Sequence, residues 1–141
     1  QCSRAGSISF NIKGMDHGLV ASVLNDYFNI AVRNECFCAH PYVKELILDD
    51  LLEAVTDIPD DELESKYKLI AGMVRASFGI YNKHEDVDAL ISALKQIVTQ
   101  KNEFKQLYHV DETGNYVHNT FKIELENNFS VSNAITSLLN I

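Results

Sequence analysis

No apolar run in this 141-residue chain approaches the roughly 18 residues that a membrane-spanning helix needs, and no signal-peptide pattern opens it. Basic residues are also scarce: 12 Lys and Arg stand against 20 Asp and Glu, for a net charge of −8. General nucleic-acid binding is thereby disfavoured, because neutralising phosphates takes Lys and Arg. Cysteine is sparse and odd in number, with Cys2, Cys36 and Cys38 only. That count does not build a disulfide-stapled secreted fold and fits a reducing, cytoplasmic setting. Internal repeats and low-complexity tracts are absent. So is an initiator Met: the chain opens Gln1-Cys2-Ser3 and enters a strand-like run within a few residues, as a piece of a longer protein would.

What is present is enough for one ordinary domain with a real core. Hydrophobic residues make up 46% of the chain and charged ones 23%, which is unremarkable for a globular protein. The negative charge is concentrated. Asp49, Asp50, Glu53, Asp57, Asp60, Asp61, Glu62 and Glu64 follow one another with no Lys or Arg among them, and these eight equal the whole acidic excess. A solvated insertion accounts for such a run.

Periodicity gives the element order. Residues 7–12 alternate around Ile8, Phe10 and Ile12, as a half-buried strand does. Asp16 is placed to cap a helix over 17–27, with Leu19, Val20, Val23, Leu24 and Tyr27 inward. A short second strand is expected at 30–33. Pro41 suits the first turn of a helix over 42–55. A loop around Pro59 follows, then a further helical segment from Asp60 or Asp61 toward Ile70. Residues 74–81 alternate again, with Val74, Ala76, Phe78 and Ile80 on one side and Arg75, Ser77 and Tyr81 on the other. Asn82 and Glu85 have capping-box spacing before a helix to about residue 99, with Val87, Leu90, Ile91, Leu94 and Ile97 or Val98 inward. Residues 107–110 and 116–125 read as a hairpin across 111–115, with Val117, Phe121, Ile123 and Leu125 on one face of its second arm. Ser130 or Ser132 can cap a last short helix ending near Leu139. The sum is an α+β fold, a small β-sheet covered by helices, with an added C-terminal hairpin and helix.

The side chains with chemistry gather at strand ends and turns: Arg33, Cys36, Cys38 and His40 in one segment and Arg75 in another. Taken alone, Cys36, Cys38 and His40 form Cys-x-Cys-x-His, which admits a metal-binding module; the spacing is too tight for the usual structural zinc patterns. His17, His84, His109 and His118 show no constellation and read as surface or capping residues.

The order of these motifs resembles the C-terminal small domain of class V, fold-type I enzymes dependent on pyridoxal phosphate. The resemblance runs through Arg4-x-Gly6-x-x-Ser9-Phe10, Ile30-Ala31-Val32-Arg33, Cys38-Ala39-x-Pro41 and Arg75-Ala76-Ser77-x-x-x-Tyr81-Asn82. It covers 3–100, and the nearest branch is the cysteine desulfurase, selenocysteine lyase and class V aminotransferase group. It implies a small domain over 1–106 and an extension over 107–141. In that family the Schiff-base lysine and most cofactor contacts lie in the large domain, and none of those motifs occurs here. The resemblance therefore implies a missing N-terminal large domain, a homodimer of the whole enzyme, an amino-acid substrate, and no cofactor site or turnover on this chain alone. Arg75 matches the arginine that holds the substrate carboxylate, and a guanidinium fork suits that task. Arg33 matches a position near cofactor and substrate. Cys38 matches the desulfurase nucleophile, which takes sulfur or selenium as a persulfide. Where desulfurases carry Gly two residues after the matching arginine, and often His-His before the cysteine, this chain has Glu35 and Cys36-Phe37. The residues also admit a non-catalytic interaction or dimerisation domain.

Overall fold

The computed structural model describes residues 6–56 and 70–121, with Pro59, Tyr67 and Ile135 besides. The segment from Asp60 toward Ile70, the arm beyond residue 121 and the last helix lie largely outside these residues. The described order is β1 (Ser7–Phe10), α1 (His17–Phe28), α2 (His40–Leu46), α3 (Leu48–Val55), β2 (Val74–Ser77), α4 (His84–Thr99), α5 (Lys101–Leu107), β3 (Tyr108–Val110) and β4 (Tyr116–His118). Two small antiparallel sheets, β1–β2 and β3–β4, are packed with helices, so the α+β class holds. No helix among the described residues is long and apolar enough to cross a membrane.

Strand alternation sorts the first sheet into two faces. Its register sets Ile8 against Ala76 and Phe10 against Val74 on one face, and Ser7 against Ser77 and Ser9 against Arg75 on the other. Val74 and Ala76 enter the main core with Leu19, Val20, Val23 and Leu24 of α1 and Leu90, Ala93 and Ile97 of α4. Ile8 stays about half exposed.

Several expectations shift by a residue or an element. The strand expected at 30–33 shrinks to one bridge, Arg33 with Arg75. The chain leaves α1 through Asn29 in the left-handed region (φ 54°), with Asn29 N–H donating to the Asn25 carbonyl and Ile30 N–H to the Leu24 carbonyl, a left-handed helix ending. It turns off again at Glu35 (φ 86°), too soon for a longer ladder. The helix expected over 42–55 is broken at buried Ile47 into α2 and α3. β2 stops at Ser77, because Gly79 N–H bonds the Asn82 side chain and Asn82 N–H returns to the Gly79 carbonyl; Ile80 and Tyr81 are left in solvent. The α4 cap therefore moves one residue on, with Asp86 accepting from Lys83 N–H and from the Asn82 amide. Ile91 and Val98 face outward, and Ala93 takes the inward place. Tyr27 is half exposed, its hydroxyl 2.9 Å from His118 Nε2 and its ring edge-on to Phe104.

Asp16 stands at the N-cap of α1 without capping it, because its carboxylate accepts from the Tyr116 hydroxyl. Tyr108 donates likewise to Asp26 at 2.8 Å, and Ser22 Oγ donates to the Tyr116 carbonyl. Burial and those carboxylates hold both phenols above their ordinary range. The hairpin thus rests directly on α1. Its 111–115 loop closes on Asp111, which accepts from Thr113 and Asn115 N–H, while Gly114 supplies a positive φ of 86°.

His17 departs most from its expected surface role. It is buried, and its ring lies against Gly72, where an added Cβ would sit 2.5 Å from Nε2. Nε2 has no hydrogen-bond partner among the described residues, and Nδ1 is 3.3 Å from the Asn34 amide nitrogen. Burial pulls the imidazole below its ordinary 6.5, with Asp16 and Glu35 opposing.

Two tests follow from this packing. Leu24→Ala, in the fully buried face of α1, is expected to cost about 2–5 kcal/mol in urea unfolding, and Ile91→Ala at an outward position under about 0.5 kcal/mol. Equal losses would contradict the assignment of inward and outward faces. For His17 the unfolded chain binds the proton more readily than the fold does, so stability rises with pH across the gap between the two pKa values. The contribution is intact above about 6.5 and is lost as pH falls through the lower folded value. Wild type should lose stability relative to His17→Gln between about pH 7.5 and about pH 5; parallel curves would contradict the reading.

Candidate active site

Arg33 and Arg75 exchange two backbone hydrogen bonds, Arg33 N–H to the Arg75 carbonyl at 3.1 Å and Arg75 N–H to the Arg33 carbonyl at 2.7 Å. Residues directly opposite in an antiparallel pair share a face. Arg75 belongs to the face of β2 turned away from the core, with Ser9 opposite it on the other edge. Among the described residues, neither arginine is paired with an acid; the ion pair found there joins exposed Lys13 and Glu53. Arg75 is half-buried, its Nε is buried with no partner among the described residues, and its guanidinium carbon lies 4.7 Å from the centre of the Phe37 ring. A guanidinium with an unsatisfied buried donor is suited to a carboxylate.

The cysteine loop has unusual backbone geometry. Ala39 N–H closes a turn onto the Cys36 carbonyl at 2.7 Å, with the two central residues, Phe37 (φ 51°) and Cys38 (φ 63°), both left-handed, as in a type I′ turn. Glu35 just before it has φ 86°, so this chain keeps a glycine-like backbone where a glutamate stands. Each such residue costs on the order of 1–3 kcal/mol, held by the bonds around it. Met73 N–H donates to the Glu35 carbonyl, and the Cys36 thiol to the Ala71 carbonyl at 3.1 Å. Burial pushes the Cys36 thiol up, so it stays protonated and anchors the loop. Cys38 is exposed at the turn.

The two cysteines therefore part company, one inward and one outward. Among the described residues, no three His, Cys, Asp or Glu side chains gather as a metal would need.

Arg33, Cys38 and His40 line one groove of about 1280 Å³ between α1 and the 110–116 hairpin tip. Arg75 does not line it and sits behind Phe37, which does. The fold thus brings Arg33 and Cys38 to one groove and joins Arg75 to them through the bridge and the Phe37 ring. Sequence reasoning missed Phe37 and His17. The aromatic beside Cys38 was a signal for the first; the second emerges only from its packing on Gly72.

Comparison with known proteins bears on these residues. The family model for aminotransferase class-V matches residues 1–90. A probable cysteine desulfurase of Staphylococcus aureus (strain COL) is 37% identical over 93 residues, which cover 66% of this chain and 17% of that protein. A probable cysteine desulfurase of Pyrococcus abyssi is 32% identical over 94 residues, covering 67% of this chain and 18% of that protein. The cysteine desulfurase of Yersinia pseudotuberculosis is 33% identical over 94 residues, with the same two shares. The chain thus spans under a fifth of the length of the curated relatives it matches. By its match over residues 1–90, the chain belongs to the aminotransferase class-V family.

Proposed function

We propose that residues 1–106 form the C-terminal small domain of a larger fold-type I enzyme of the cysteine desulfurase kind, that residues 107–141 are a C-terminal extension, and that the chain alone has no turnover. The observation that carries this reading is the pairing of Arg33 with Arg75. Two guanidinium groups on adjoining backbone, with no acid beside either among the described residues, call for an anion from outside. An amino-acid carboxylate meets that need. The family's desulfurases and the short share of their length support a missing large domain and an amino-acid substrate.

The orphaned Arg75 Nε fits a substrate held against a cofactor bound elsewhere. Pyridoxal phosphate, when bound, supplies the electron sink for the α-carbon. This chain's residues do the rest. Arg75 fixes the carboxylate, and Arg33 adds positive charge at the groove. Cys38 offers an exposed sulfur at the tip of its turn. With L-cysteine, the Cys38 thiolate attacks the substrate sulfur and an S–S bond forms. The C–S bond breaks with its electron pair going to carbon, which takes a proton. The products are alanine and a Cys38 persulfide. The reducing cytoplasm suits a free Cys38, and a homodimer completes the proposed assembly. If Cys38 only lines the pocket, aminotransferase chemistry is the second reading, favoured by Cys36-Phe37 in place of His-His.

In the full-length parent with pyridoxal phosphate supplied, alanine should appear from L-cysteine in step with protein-bound persulfide. Cofactor bound through a lysine without alanine release would sink the desulfurase reading. Arg75→Ala should raise KM for the amino acid at least tenfold, from a loss of about 1.5–3 kcal/mol, with cofactor content unchanged. An unaltered KM would remove Arg75 from the site. Cys38→Ser should abolish sulfur transfer and spare any transamination; loss of both would assign Cys38 a structural role.

A further inference from the structure

We infer that Phe37 is the positioning residue of the carboxylate site: the Arg75 guanidinium carbon sits over its ring, 4.7 Å from the centroid, and a ring that engages the flat face of the fork would leave the edge to a carboxylate. The inference rests on the carboxylate role proposed for Arg75. The two contacts are compatible because they use perpendicular directions. An aromatic ring meets the flat face of a guanidinium, and a carboxylate meets its N–H groups in the plane.

Three features hold the ring there. Phe37 is the first central residue of the turn closed by Ala39 N–H on the Cys36 carbonyl. The Cys36 thiol fixes that turn to Ala71. Across the gap, Arg75 is anchored at its backbone to Arg33, and its Nε is already out of solvent. A long flexible side chain is thus ordered before any ligand arrives, which lowers the entropy lost on binding. Phe37 also lines the groove where Arg75 does not, so the ring screens the guanidinium from the groove's water. Screening of that kind strengthens the ion pair that forms behind it. The same turn presents Cys38, so carboxylate site and thiol keep a fixed spacing.

The test uses acetate as the probe and the Arg75 Nε–H signal as the readout, in nitrogen-labelled chain, with Arg75→Ala to assign that signal. Wild type should show a ring-current-shifted signal that moves on titration. Phe37→Leu keeps the bulk and removes the ring; it should lose the ring-current shift and bind acetate roughly threefold to tenfold more weakly. Phe37→Trp should restore both. In the full-length parent, Phe37→Leu should raise KM for L-cysteine by a similar factor and leave kcat nearly unchanged. Acetate binding in Phe37→Leu equal to wild type would overturn the inference, as would a Trp variant no better than Leu. If acetate leaves the Arg75 signal of wild type unmoved, the carboxylate role of Arg75 fails instead.

Discussion

The backbone exchange between Arg33 and Arg75 is the constraint on which the site depends. It is one bridge, with no strand beyond it on the Arg33 side. Yet it fixes where the cysteine loop begins, because the chain departs from that bridge directly into Glu35 and the turn of Phe37 and Cys38. It also sets like charges side by side, which opposes folding in the absence of an anion. Part of that cost is offset locally. The Arg75 guanidinium sits over the Phe37 ring, and Arg33 is exposed to water. Among the described residues neither arginine has an acidic partner, so the bridge brings two like charges together with no opposite charge beside them.

The bridge in turn depends on packing behind it. His17 is wedged where only the absence of a side chain at Gly72 leaves room, and its ring lies close to the Glu35 backbone. Through Nδ1 it also meets Asn34, the residue after Arg33. The start of α1, the end of the bridge and the segment entering β2 therefore form one packed unit. A buried imidazole nitrogen with no partner among the described residues is costly, and the cost falls where the cysteine loop is positioned.

The elements set by hydrophobic period were legible: β1, α1, the helix after residue 83, and the hairpin with its 111–115 turn. What escaped were features decided by partners distant in sequence. Tyr27 satisfies the apolar period of α1 but turns partly outward because His118 offers its hydroxyl a partner. Asp16 occupies an N-cap yet answers to Tyr116. Asn82 was read as a cap and instead closes the turn that ends β2, which passes the capping role to Asp86. In the site, Arg33, Cys38 and Arg75 were named from motif order. Their separation by Phe37 was not, since a stack between residues so far apart in sequence leaves no periodic trace.

The hairpin of β3 and β4 bears on the groove for a reason independent of the family match. The family match ends at residue 90, and the hairpin lies beyond it. Its two tyrosines nevertheless use the carboxylates of Asp16 and Asp26 on α1, the helix whose other contacts hold the arginine bridge in place. Burying a phenol next to a carboxylate is stable only while the hydrogen bond between them survives, so these contacts fix the angle of the hairpin sharply. The hairpin tip then becomes the wall of the groove opposite Arg33 and Cys38. Arg33 and Cys38 lie within the family match, while part of the wall of the groove they line is built by residues beyond it.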